Sequence, residues 1–414
     1  MTPAAAAHAD AERAARASYG RLVALLAWQW RDLASAEDAL GEAFAQALAR
    51  WPAEGVPREP EGWLLTVARR ELLQAARHQR VVDHPAVAAV LEGDGFAPPP
   101  APGIPDHRLR LLFVCAHPDL PRDVHAPLML QAVLGVDARR IADAFLASPS
   151  AMAQRLVRAK ARIRADALRF EEPEARELPA RLAAVLEGIY AAYTIGSNTA
   201  RAEPAWSAAA SDLAGEASFL ARLVASLQPA SAEALGLLAL LLFCESRRAA
   251  QFDAQGRFVP LARQDTSLWD RALLREAEQL LWQASALGDP GPLQWEAAIQ
   301  SAHAQRAATG AVPWPAIVAL YEALVRAHAG MGAVVGHAAA LGESGQPAAG
   351  LAALDGIAGR ETASYQPYWV VRAHLLRACG RADAAHGAQQ RAIGLTADPR
   401  IREWLASSAG ADGR

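Results

Sequence analysis

Apolar residues recur along this chain at helical spacing, and almost nowhere with the alternation a half-buried strand requires. Residues 13–80 divide into three such segments. The first runs from about Arg13 to Asp32. The second opens at Ser35-Ala-Glu-Asp38, close to a capping box, and continues to Arg50, where Pro52 stops it. Its stripe is Leu40, Phe44, Ala47, Leu48 and Trp51. The third opens near Glu59-Pro60-Glu61 and ends in a basic string that includes Arg69, Arg70, Arg77 and Arg80. Acids at its start and bases at its end suit the helix dipole.

Residues 81–106 hold many Pro and Gly and no sustained period, and predict a linker. Fully stretched, such a linker spans about 85–90 Å. A second helical domain follows at 107–170. Its most informative stretch, Gly135 to Arg164, reads as two helices joined by a tight turn. Ser148 is a natural N-cap with Pro149 at the first helical position. Met152, Leu156, Ala159 and Ile163 form the buried stripe, which turns Arg155, Arg158 and Arg162 outward. From Arg155 to Arg169 there are six basic residues against one acid, Asp166. This is the layout of a helix-turn-helix whose second helix enters the DNA major groove. A solvated basic face on an ordinary helical hairpin is the other reading.

Residues 178–406 predict a run of helical hairpins. Trp369, Ala373, Gly380, Ala385 and Ala392 have tetratricopeptide spacing, and Val334, Ala338, Gly345 and Gly350 echo it about 35 residues earlier. Repeats therefore occupy the region near 316–400, and such repeats stack around a concave binding face.

Composition agrees with an all-α fold: of the 414 residues, 52% are hydrophobic, with Ala and Leu abundant. Cys115, Cys244 and Cys379 lie far apart and predict buried thiols in a reducing compartment, not a disulfide frame or zinc site. The N-terminus lacks the order of a signal peptide, and the longest apolar run, Ala234 to Cys244, is too short to cross a bilayer. A cytoplasmic protein is expected. The net charge of −3 hides an asymmetry. Residues 1–170 carry 21 Lys and Arg against 19 Asp and Glu, and the remainder 20 against 25. Basic residues of the first part cluster at 69–80 and 155–169, a footprint of nucleic-acid binding.

Two other constellations stand out. Cys115-Ala-His117-Pro-Asp119 matches no usual metal spacing and favours a structural role. Glu245, Arg247, Arg248, Asp253 and Asp265 form a dense charged patch between apolar helices. It reads either as a buried ion-pair network locking the C-terminal part or as a ligand pocket. No phosphate loop, nucleophile triad or paired-carboxylate motif is present, so neither an enzyme nor a cofactor or metal is expected.

Three stretches together resemble bacterial RNA polymerase sigma factors of the extracytoplasmic-function group. They are Ala36-Glu37-Asp38-Ala39 through Glu42, Phe44 and Trp51; Gly62-Trp63-Leu64 through Ala68-Arg69-Arg70, Leu73 and Arg77; and Ile141-Ala142 through Ser150, Met152, Arg155, Leu156, Arg158 and Ile163. Farther on, Leu237–Leu240, Glu245, Arg247-Arg248, Asp265, Trp269–Leu273 and Gly291-Pro292 through His303 are similar to one subgroup. Its members carry a long extension ending in tetratricopeptide-like repeats.

The resemblance implies a region-two domain at 10–80 and a region-four domain at 107–170. It implies that Glu37, Asp38, Glu42 and Gln46 meet the β′ clamp of core polymerase, while region four also meets the β flap. Trp63, Arg69, Arg70, Gln74, Arg77 and Arg80 would serve the −10 promoter element, with Trp63 open to a core or a base-stacking reading. Ser150, Ala151 and Gln154 would face base edges at the −35 element, with Arg155, Arg158, Lys160 and Arg162 on phosphates. Departures are Arg70 and Gln74 where the subgroup has Asn and Asp, Gly41 where Gln is usual, and Thr194-Ile195-Gly196-Ser197 in place of Asn-Glu-Gly-Tyr. Two functions follow as expectations. One is a promoter-directing sigma factor whose repeats regulate it through an intramolecular or protein partner. The other is a repeat scaffold whose sigma-like half has lost promoter reading.

Overall fold

The computed structural model describes residues 18–78, 104–165, 173–174, 176–202, 207–357, 359 and 362–411. Among them regular structure is helical, and β pairing is confined to an isolated antiparallel bridge between Phe252 and Phe258. The chain is all-α, as its periodicity predicts. It packs as two compact units, one running to Gly196 and taking in Ala208–Ala217, the other comprising Ser197–Ser207 and the chain from Ser218. Arg80, Arg169, residues 10–17 and most of the expected linker lie outside the described residues.

In the first unit α1 covers residues 18–30, followed by α2 (Leu33–Glu54) and α3 (Pro60–His78). Asp32, not Ser35, caps α2: its carboxylate accepts from the backbone N–H groups of Ala34 and Ser35 at 3.0 and 3.2 Å. Pro52 does not stop the helix. It stands in the last turn, where it leaves the Leu48 carbonyl without an intrahelical donor but the helix has only two residues left to run, and the chain leaves at Gly55 with φ 86°. Trp51 is buried beneath α3 and meets Trp63 edge-on, ring centroids 5.5 Å apart.

Four helices follow: α4 (His107–Cys115), α5 (Arg122–Ala132), α6 (Ala138–Ala144) and α7 (Pro149–Ala165). Asp106, the last residue of the expected linker, caps α4. Helix α8 (Leu178–Ala202) packs with this unit as far as Gly196. Arg181 reaches the Phe113 carbonyl. A Cβ on Gly188 would stand 2.6 Å from the Met129 sulfur, so a larger residue there requires that side chain to move.

Helix α9 (Ser207–Leu227) precedes α10 (Ala232–Ser246), which is apolar on nearly every side and buried against α11 (Arg271–Ala286) and α12 (Pro292–Ala304). The N-cap of α12, Gly291, has no side chain to offer. Glu233 of α10 supplies one, accepting from the N–H groups of Leu293 and Gln294 at 3.1 and 3.0 Å. Short α13 (Arg306–Thr309) and α14 (Trp314–Ala327) lead to two hairpins, α15 (Met331–Glu343) with α16 (Pro347–Asp355), and α17 (Gln366–Ala378) with α18 (Ala382–Leu395); α19 (Pro399–Ala411) closes the chain. The hairpins turn at equivalent glycines, Gly345 at φ 88° and Gly380 at φ 73°, a conformation L side chains resist. Ala338, Gly350, Ala373 and Ala385 are buried where the helices meet. Val335, not Val334, is the buried valine of the first hairpin.

Candidate functional site

Helix α7 is built from its cap inward. Ser148 Oγ accepts from the Ala151 N–H at 3.2 Å, and Pro149 is the first helical residue. The preceding turn places Leu146 at φ 51°, with the Ala147 N–H donating back to the Ala142 carbonyl at 2.9 Å. A leucine there costs about 1–2 kcal/mol relative to an ordinary helical conformation. Met152, Leu156, Ala159 and Ile163 are buried as a stripe. Around that stripe Ser150, Gln154, Arg155, Arg158 and Arg162 are exposed and Ala151 is half-buried. Arg155 lies 3.7 Å from Asp123, and Arg158 Nε donates to the Gln154 carbonyl at 3.3 Å.

Lys160 departs from the expected phosphate row. It lies at the edge of the buried stripe, beside Ala159, and turns onto α2. There it forms an ion pair with Glu37 at 2.7 Å, and Arg164 Nε lies 3.4 Å from Asp32. Burial raises the Glu37 carboxyl above its ordinary range, and the Lys160 charge offsets only part of that. Residues expected to meet DNA and polymerase separately therefore meet each other.

The remaining clamp residues differ in access. Asp38 and Glu42 are exposed, whereas Gln46 is half-buried and donates to Glu71 on α3 at 3.2 Å. On α3, Arg70 and Gln74 are exposed one turn apart. Arg69 is half-buried, donates to Gln29 at 3.3 Å, and has its pKa lowered by burial. Its guanidinium is thus turned toward α1 and away from the face that Arg70 shares with Gln74. Trp63 keeps partial exposure, but the contact with Trp51 accounts for its ring as part of the core. The Arg77 side chain lies outside the described residues.

The two other constellations resolve into local roles. Cys115 is fully buried, and burial raises its thiol pKa. His117 Nδ1 accepts from the Asp119 N–H, and the His117 carbonyl bonds the His125 ring, so this segment is a turn. The patch at 245–265 contains short-range pairs. Glu245 pairs with Arg248, Asp253 with Arg257, and Asp265 caps the short turn at 266–268. Arg247, which the sequence pattern placed in this patch, joins none of these pairs, and the pattern did not bring Trp269 to it. Among the described residues no group of three or more His, Cys, Asp or Glu is placed to hold a metal ion, and no helix is long and apolar enough to cross a membrane.

Residues 181–285 match a family of unknown function, DUF6596. An uncharacterized protein of Rhizobium meliloti (strain 1021) is 38% identical over 372 residues, which cover 88% of this chain and 87% of that protein. No solved structure matches. Identity at that level across most of both chains places the protein in the same family as the Rhizobium meliloti protein, with a DUF6596 region at residues 181–285.

Proposed function

We propose that the protein is a cytoplasmic RNA polymerase sigma factor whose C-terminal hairpins regulate it through a protein partner or the chain itself. The observation that carries this reading is the open face of α7. A capped, buried-stripe helix leaves Ser150, Gln154, Arg155 and Arg158 outward at its N-terminal half, the half a helix-turn-helix offers to base edges and phosphates. Exposed Asp38 and Glu42 on α2, and Arg70 with Gln74 on α3, support clamp and −10 roles for those helices.

In this reading the described arrangement is a closed form. Promoter binding separates α7 from α2, releasing Lys160 to phosphate and Glu37 to the clamp. The protein makes or breaks no bond itself; it addresses polymerase and helps hold the opened strand. The test is retention of the full-length protein on core RNA polymerase, followed by mapping RNA 5′ ends after overexpression. A defined promoter class is expected, and failure to bind core polymerase overturns the reading.

The ion pair between Lys160 and Glu37 also favours a second reading, a scaffold whose sigma-like faces are permanently engaged with each other. Arg70→Asn with Gln74→Asp separates the two. A degenerate factor gains promoter activity from the pair of changes, whereas a re-specified factor changes promoters.

A further inference from the structure

The acids that share the charged patch with Arg247 are engaged elsewhere. Arg247 ends α10 and is only 7% exposed. Its Nη2 donates to Gln300 at 2.6 Å and lies 3.8 Å from the Cys244 sulfur, while its Nη1 is buried without a partner. Glu245 and Asp253 are paired with other arginines, and Asp265 and Asp270 cap helical turns. Over the guanidinium lies Trp269, 3% exposed, with its indole Nε1 likewise buried and unpartnered. The ring centroid is 6.0 Å from the Arg247 Cζ and 5.2 Å from that of Arg306. Arg306 donates to the carbonyls of Leu261, Ala262 and Gln264, and among the described residues no carboxylate pairs with it.

We propose that the second unit binds a small organic monocarboxylate at this cluster, held by Arg247 Nη1 and the Trp269 indole N–H. Buried donors in folded proteins are satisfied, and buried charges are paired. Here Arg247 Nη1 and the Trp269 N–H are both buried without a partner, and two guanidinium groups lie at one aromatic ring, neither paired with a carboxylate among the described residues. The charge requirement selects the ligand. Desolvation rises with the square of the charge, and a phosphate monoester carries about two negative charges at neutral pH. A carboxylate brings a single charge and two acceptor oxygens for the two orphaned donors. His303 is consistent with a cationic surround: burial, then the charges of Arg247 and Arg306, push its pKa down to about 4. The proposal does not depend on the sigma reading.

The test titrates full-length protein with acetate, pyruvate and benzoate, and separately with inorganic phosphate, at constant ionic strength. Thermal shift and calorimetry are the readouts. At least one carboxylate is expected to bind saturably, with phosphate inactive. Arg247→Gln is expected to weaken that carboxylate at least tenfold, and Trp269→Phe, which keeps the ring and removes the donor, at least threefold. Should Arg247→Gln not fold, Trp269→Phe decides. Saturable binding of none of the three carboxylates, binding of phosphate alone, or affinity unchanged in the folded variants overturns the proposal.

Discussion

Lys160 and Glu37 stand 123 residues apart in sequence and form one ion pair, 2.7 Å between Nζ and Oε2, with side chains 20% and 12% exposed. It joins the last turns of α7 to the first turns of α2, beside the Arg164–Asp32 contact. Because Asp32 also caps α2, the start of that helix and its grip on α7 share one carboxylate.

The two partners of this pair respond differently to substitution. The raised Glu37 pKa means that burial of its charge outweighs what Lys160 returns. A raised carboxylate pKa contributes stability that is present below the unfolded value and lost as pH rises through the folded one. Glu37→Gln removes that loss and keeps an acceptor for Lys160, so stability at pH 7 stays within about 1 kcal/mol or rises. Lys160→Ala leaves a buried carboxylate alone and costs about 2 kcal/mol or more. Urea unfolding at pH 7 with unchanged slope measures both.

His303 sets a pH dependence of the opposite sign. Its folded pKa of about 4 lies below the unfolded 6.5, so the unfolded chain binds more protons between those values. Stability is full above pH 6.5 and falls toward pH 4, by up to about 3 kcal/mol. His303→Gln flattens this window, read as the difference in unfolding free energy between variant and parent at pH 7 and pH 5.

Two glycines in the repeats predict opposite signs. A Cβ on Gly350 would stand 2.6 Å from the Ala338 carbonyl oxygen, which is backbone and cannot give way. Gly350→Ala costs about 1–3 kcal/mol. Gly387, exposed in α18, has nothing within 4 Å, so Gly387→Ala stabilises by about 0.5–1 kcal/mol through helix propensity. Thermal unfolding of the two variants tests the close helix approach directly.

Under the proposed function, Arg155→Ala and Arg158→Ala each remove one phosphate contact. Each makes the slope of log affinity against log salt shallower by about 0.9 on promoter DNA. Ser150→Ala changes sequence preference without changing the slope. Filter binding across a salt series distinguishes the two effects.

Helical periodicity made the helices of the all-α fold, the α7 stripe and the twin turn glycines legible in the sequence. Each of these is a local property: burial follows a 3.6-residue period, a capping hydroxyl serves its own helix, and a left-handed turn asks for glycine wherever it occurs. The candidate site was legible to the same depth. Ser150, Gln154, Arg155 and Arg158 are outward because the stripe leaves them no other side.

Lys160, Arg69, Glu233 and Arg247 were not legible, since their roles rest on groups brought from elsewhere in the chain. Nothing near Lys160 in sequence announces Glu37, and nothing in the basic string sets Arg69 apart from Arg70 until α1 brings Gln29 to it. Glu233 caps a helix 60 residues away, where Gly291 leaves two N–H groups without a local acceptor. The charged patch at 245–265 looked like one network, yet short-range pairing consumed its acids and left Arg247 beneath Trp269. Helix identity, stripe and turn came from neighbours within a few residues along the chain. Which charges are masked, paired or left alone came from tertiary packing, because electrostatic partnership depends on distance in space and on burial, and neither follows a sequence period.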